Sequence, residues 1–125
     1  MKCVDTSVLI SLERNEAARA RLADEDFFVP ALAAAEFLVG VRLTRSETQR
    51  QRGQDFYDDI AAFVLPLSES QARIVANLIV DQRRKGKTLD PYDAAIAAAA
   101  IDSGAELVTH DKDFDGIAGL TVEKI

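Results

Sequence analysis

The sequence has one cysteine, one histidine and no tryptophan. A single cysteine excludes an internal disulfide and a cysteine-based metal site. No segment approaches the roughly 18 consecutive apolar residues that a membrane span needs. The N-terminal segment makes a poor signal peptide because Asp5 interrupts its apolar run. These absences predict a cytoplasmic protein with no membrane segment.

Positive charge is also scarce. The sequence has 15 Lys and Arg residues and 21 Asp and Glu residues, which gives a net charge of −6. Phosphate contacts need cations, so this balance argues against a general nucleic-acid binder unless several acids are gathered at a metal site. The cations form two groups, which could equally be solvated helix faces or helix C-termini. They are Arg42, Arg45, Arg50 and Arg52, and Arg83, Arg84, Lys85 and Lys87.

The chain length of 125 residues suits a single domain over residues 1–125. Apolar runs and turn residues predict strands that alternate with helices. The strands fall at 2–5, 26–29, 63–67, 106–109 and 120–123, and the helices at 6–13, 16–23, 31–43, 68–84 and 91–104. Residues 44–53 are polar, and fit either a loop or the exposed start of another helix. The predicted fold class is α/β, a parallel sheet covered by helices on its faces.

Four acids fall where such a sheet would bring them together. Asp5 ends the first strand, Asp111 follows the fourth, Asp93 lies in the first turn of its helix, and Glu36 lies in the helix after the second strand. Ligands of open parallel sheets bind beyond the carboxyl ends of the strands. The sequence therefore predicts an acidic site at this edge.

Clustered carboxylates repel one another, and a divalent cation removes that conflict. The candidate ligands are all hard oxygens, so Mg²⁺ or Mn²⁺ fits and zinc does not. Such ions can activate water and stabilise the charge on a phosphodiester. Each acid also has a purely structural interpretation. Asp5 could be a helix N-cap, Asp93 a first-turn acid, and Asp111, Asp113 and Asp115 turn residues. Glu36 is hardest to explain this way, because its helix segment is otherwise apolar.

Four segments in order resemble the PIN-domain family, and more closely its VapC-like branch of bacterial toxins. They are Val4-Asp5-Thr6-Ser7, Pro30 to Gly40 around Glu36, Asp90-Pro91-Tyr92-Asp93, and Leu107 to Phe114, with Gly119 to Val122 after them. The resemblance spans the whole chain and implies a PIN-like three-layer fold. It also implies an RNA endonuclease that uses Mg²⁺ or Mn²⁺, forms a homodimer and is blocked by a cognate VapB-like antitoxin.

The resemblance assigns roles to individual residues. Those expected to be catalytic are Asp5, Glu36, Asp93 and Asp111, and the metal ligands are Asp5, Asp93, Asp111 and Asp113. The fourth motif varies in the family, so the fourth acidic role falls on Asp111, Asp113 or both, with Asp111 favoured because it lies nearest the strand end. Thr6 and Thr109 would place hydroxyls near the metal, and Arg42 and Arg45 are candidates for substrate binding. His110 is predicted to alternate away from Asp111 and to take no part in catalysis.

Three other functions compete with this interpretation. An aspartyl-phosphate phosphatase would need an acid two residues after Asp5, where Ser7 stands. A response-regulator receiver would need an early acidic pair, which is absent. A PIN-like RNA-binding or regulatory module without cleavage would be expected to have lost acids, whereas this chain has the full set.

Overall fold

The computed structural model describes all 125 residues, and its centre is a five-stranded parallel sheet. The strand order is β3-β2-β1-β4-β5. The strands are β1 (Lys2–Val4), β2 (Phe27–Pro30), β3 (Val64–Leu65), β4 (Glu106–Thr109) and β5 (Val122–Lys124). Six helices complete a three-layer α/β fold, which confirms the predicted class.

The helices follow the predicted segments closely. They are α1 (Thr6–Arg14), α2 (Glu16–Ala23), α3 (Ala31–Leu43), α4 (Glu47–Ile60), α5 (Glu69–Arg84) and α6 (Pro91–Ser103), with short 3₁₀ turns at Ala61–Phe63 and Lys112–Phe114. Residues 44–53, predicted as either a loop or the start of a helix, contain the start of α4. Ser46 is the N-cap of α4, because its side chain accepts a hydrogen bond from the Gln49 N–H at 3.3 Å.

The last strand begins two residues later than predicted. Leu120 is held in a turn by its N–H, which donates to the Ile117 carbonyl at 3.3 Å, and Gly119 has a φ of 82°. Pairing with β4 therefore starts only at Val122, opposite Leu107. The third strand is likewise shorter than predicted, at Val64–Leu65.

Helix α6 is the most buried of the six helices. The Asp90 side chain caps it by accepting from the Tyr92 N–H at 2.8 Å, and Pro91 occupies its first turn. Every residue from 94 to 100 is buried, six of these seven being alanine. Small side chains let this helix pack closely against β1, β2 and β4, which fixes the position of its N-terminal turn relative to the strand ends.

One core joins the sheet to its helices and includes Val4, Leu9, Phe37, Ile96 and Leu107. This shared core supports the prediction of one domain over residues 1–125. Cys3 is buried in it, as expected for a core residue, and desolvation raises the pKa of its thiol. No helix of the fold is both long and apolar enough to cross a membrane.

Candidate active site

The site forms where the strand order changes direction. Strand β1 leads to β2 on one side, while β4 joins it on the other, and ligand sites of open α/β sheets lie at such a switch point. Asp5 follows β1, and Thr109 ends β4. The Asp5 N–H donates to the Val108 carbonyl at 3.4 Å, so the two strand ends are fastened together directly below the site.

Asp5 is 3% exposed and all of its nearest partners are donors. Its Oδ1 accepts from the Ser7 hydroxyl at 2.7 Å and from the Val8 N–H at 3.1 Å, and its Oδ2 accepts from the Thr109 hydroxyl. The bond to Val8 makes Asp5 the N-cap of α1. Three donors therefore satisfy the oxygen atoms of this buried side chain.

Thr109 connects Asp5 to the segment that follows β4. It is fully buried, and its Oγ1 accepts a hydrogen bond from the Asp111 N–H at 2.9 Å while donating to Asp5. Asp111 in turn caps the 3₁₀ turn by accepting from the Asp113 N–H at 2.9 Å. The buried Phe114 anchors that turn from below. Asp111 and Asp113 are thus positioned by a chain of hydrogen bonds that begins at Asp5.

The acids that meet most closely are Asp93, Asp111 and Asp113. One carboxylate oxygen from each lies within 4.8 Å of the others, and none of the three forms an ion pair. Burial raises the pKa of Asp93 to about 6, helped by the charges of Asp90, Asp111, Glu36 and Asp113 in that order. No Lys or Arg side chain pairs with these three carboxylates, so their negative charge is not balanced within the protein.

Glu36 approaches the same region from α3. The Thr6 hydroxyl donates to Glu36 Oε1 at 2.9 Å, which ties α3 to the first residue of α1. Glu36 also lines a groove of about 310 Å³ whose wall includes Arg14 and Arg52. The structure therefore places Glu36 beside the cluster of three acids, with its charge acting on Asp93, although not within the closest group.

The remaining polar candidates lie apart from the cluster. Arg42 and Arg45 line no part of the Glu36 groove, so their role in substrate binding stays a prediction. Arg52, from the same basic group, does line it, as does Arg14, which sequence reasoning missed. Arg14 lies at the end of α1, and only the packing of α1 near α4 reveals its position.

His110 and Asp115 take other partners. The His110 ring lies 2.9 Å from the Ser11 hydroxyl and 2.6 Å from the Ile125 carbonyl, and contacts none of the clustered acids. Asp115 pairs with Lys124 at 2.6 Å at the end of the 3₁₀ turn. The absence of a catalytic role for His110 stays a prediction, and Asp115 lies in a turn as its structural interpretation proposed.

Comparison with known proteins identifies the family and the fold. The PIN domain family matches residues 2–120. Ribonuclease VapC1 of Rickettsia felis is 29% identical over 123 residues, which cover 95% of this chain and 92% of that protein. The solved structure of VapBC-5, a toxin–antitoxin system member from Mycobacterium tuberculosis, aligns with a TM-score of 0.81 at 26% identity, covering 99% of this chain and 98% of that one. VapBC2 from Rickettsia felis, solved with a promoter DNA fragment, shares the fold with a TM-score of 0.86 at 21% identity, covering 99% and 98%.

Proposed function

The chain belongs to the PIN domain family, and on that premise we propose that it is a metal-dependent endoribonuclease and the toxin of a toxin–antitoxin pair. The observation that carries this proposal is the unpaired group of Asp93, Asp111 and Asp113 at the switch point of the sheet. The ribonuclease name of similar chains supports the same reaction class.

The residues present fit a divalent cation. Three carboxylates within 4.8 Å supply hard oxygen ligands, and no thiolate or imidazole joins them. Burial and, after it, the neighbouring acids raise the pKa of Asp93, and a cation would stabilise the charge that both disfavour. This chemistry favours Mg²⁺ or Mn²⁺, held by Asp93, Asp111 and Asp113. Asp5, also predicted as a ligand, lies outside this closest group and supports it through Thr109.

A divalent ion bound there would supply Lewis acidity for phosphodiester hydrolysis. The other tasks fall to side chains. Thr109 and Asp5 hold the Asp111 backbone in place, so that the acids need not reorganise when substrate arrives. Glu36, oriented by Thr6, offers a carboxylate that can accept a proton from the attacking water. Burial of the Asp5–Thr109 pair keeps water from competing for its hydrogen bonds.

The partners in this proposal are RNA, a VapB-like antitoxin and a second copy of the chain, all in the cytoplasm. Support for protein partners comes from α3, where Val39 and Leu43 are exposed although both are large and apolar. Several similar structures are of VapBC toxin–antitoxin proteins. The unbalanced acids would attract a basic antitoxin side chain when no metal is bound.

The reaction can be tested with protein purified free of antitoxin and incubated with structured RNAs. We expect cleavage in Mg²⁺ or Mn²⁺, none in EDTA, and none by Asp93→Asn in either metal. Asp81→Asn removes the same charge from an exposed site on α5 and should cleave normally. Metal-dependent RNA binding without cleavage would contradict the enzyme proposal and favour a regulatory PIN-like module. Acid-labile phosphate on Asp5 would favour phosphoryl transfer instead.

A further inference from the structure

The cations of this protein divide sharply into paired and unpaired ones. Six of the 15 Lys and Arg side chains form ion pairs, namely Lys2, Arg14, Arg19, Arg21, Arg73 and Lys124. The others are the two basic groups seen in the sequence, together with Lys112. In an acidic protein, cations without an acidic partner are available to an external anion.

Three of these unpaired cations line one groove. It lies between the end of α5, the connection to α6 and the 3₁₀ turn after β4, and has a volume of about 640 Å³. Arg83, Lys87 and Lys112 contribute the positive side chains of its wall. Four acids also line it, of which Asp93 and Asp113 belong to the acid cluster and the other two are Asp90 and Asp115. A ligand in this groove would therefore lie beside both the proposed metal site and the unpaired cations.

The connection that carries Lys87 is fixed by its own hydrogen bonds. The Lys87 N–H donates to the Gln82 carbonyl at 2.9 Å, and the Gly86 N–H donates to the Arg83 carbonyl at 2.9 Å. Gly86 has a φ of 75°, the left-handed conformation that this helix ending requires. The turn thus holds the Arg83 and Lys87 backbones in a set relation, which reduces the ordering cost of binding a shared anion.

We propose that this groove, here called the α5–α6 groove, binds phosphates of the RNA strand next to the bond that is cut, through Arg83 and Lys87. The inference rests on the proposed nuclease function and extends it, because it names the track that the substrate follows away from the metal site. Arg83 and Lys87 have no acidic partner in the protein, so they can pair with the phosphates of a polyanion whose reacting end lies at the acids.

The Glu36 groove also contains an unpaired cation, because its wall includes Arg52. Asp93 is connected to both grooves, since the charge of Glu36 acts on it and it lines the α5–α6 groove. A single strand that reaches from the acids into either groove would then meet an unpaired cation.

The test compares two double variants of equal charge change. Arg83→Ala with Lys87→Ala removes both cations of the α5–α6 groove. Arg84→Ala with Lys85→Ala is the matched control, because these exposed residues lie in the same segment but line no groove. Binding of a short fluorescein-labelled single-stranded RNA is followed by anisotropy in Mg²⁺, in a Glu36→Gln background that slows cleavage.

We expect the groove variant to bind RNA about tenfold more weakly than its parent at 0.1 M salt. Its slope of log K against log salt should shrink by about 1.4, which corresponds to two lost phosphate contacts on a single strand. The control should change either quantity much less. Equal losses in the two variants, no loss in the groove variant, or no RNA binding by the parent would each overturn the proposal.

Cleavage by the protein with Glu36 intact is measured separately, so the two proposals can fail independently. Metal-dependent cleavage with no difference in affinity between the variants would overturn the groove and leave the nuclease. Groove-dependent binding of RNA without any cleavage would overturn the nuclease and leave the groove as an RNA-binding site.

Discussion

Two kinds of carboxylate stand side by side at the same edge of the sheet. Asp5 is buried and accepts three hydrogen bonds, whereas Asp93 is half-buried and faces other acids. The protein itself stabilises the first charge and leaves the second unbalanced. The comparison teaches that the inner acid organises the site, while the outer acids are left for a cation to complete.

The largest effect should come from removing the inner carboxylate. Asp5→Ala deletes the α1 cap and strands the buried Thr109 hydroxyl, so we expect the free energy of unfolding to fall by about 3 kcal/mol. Urea denaturation measures this loss. Asp115→Ala, at an exposed ion pair, should cost less than about 1 kcal/mol. Similar losses in the two variants would show that Asp5 contributes no more to stability than an exposed acid does.

The next effect concerns the cation that the outer acids lack. Mg²⁺ at 100 times its Kd should raise the free energy of unfolding by about 2.7 kcal/mol, because it binds only the folded site. Asp113→Asn should lose most of this gain, and Asp81→Asn should keep it, as thermal melts with and without Mg²⁺ would reveal. Equal stabilisation of both variants would place the ion elsewhere.

A smaller effect, with the opposite sign to the first, follows from the pKa of Asp93. A pKa raised to about 6 means that the folded state holds the proton more tightly than the unfolded chain. Without metal, this group therefore makes the protein less stable as pH rises from about 4 to about 6.

Asp93→Asn should accordingly stabilise the metal-free protein by about 1 kcal/mol at about pH 7, a figure reduced for solvent screening of this half-exposed side chain. The gain should vanish below about pH 4, where Asp93 is neutral in both states. Urea titrations in EDTA across this range measure it. A stabilisation that stays constant with pH would show that the ionisation of Asp93, disfavoured by burial and neighbouring acids, is not its source.

The smallest effect tests the hydroxyl that orients Glu36. Thr6→Val keeps the shape of the side chain and removes its hydrogen bond to Glu36, so we expect a loss of about 0.5 kcal/mol. RNA cleavage should fall far more than stability does if Glu36 must be oriented. Thr121→Val, an exposed threonine outside the site, is the matched control and should alter neither. Unchanged cleavage by Thr6→Val would remove this positioning role.

Much of the fold could be predicted because its signals are local. The Asp90-Pro91 pair predicts the start of α6, and the helix ends at Gly104, which has a φ of 66°. The length of β5 could not be predicted, since it depends on the turn at Gly119 and on where β4 offers partners. Strand ends are decided by pairing across the sheet, which sequence patterns do not record.

Some features of the candidate site could also be predicted from the sequence, and others could not. Glu36 is conspicuous because an acid in an apolar helix segment needs a partner, and the structure supplies Thr6. The sequence favoured Asp111 over Asp113 for the fourth acidic role, and the structure brings both to Asp93. Arg14 was missed because its neighbours come from another helix. Its proximity to Glu36 arises only from long-range packing.

The pairing of β1 with β4 also has a consequence for how the protein is made. Asp5 emerges from the ribosome among the first residues, but its partner Thr109 and the two acids after it are synthesised more than a hundred residues later. Since contacts this distant in sequence form after local ones, the carboxylate site is assembled only late in folding. A growing chain therefore has no complete carboxylate site during most of its translation.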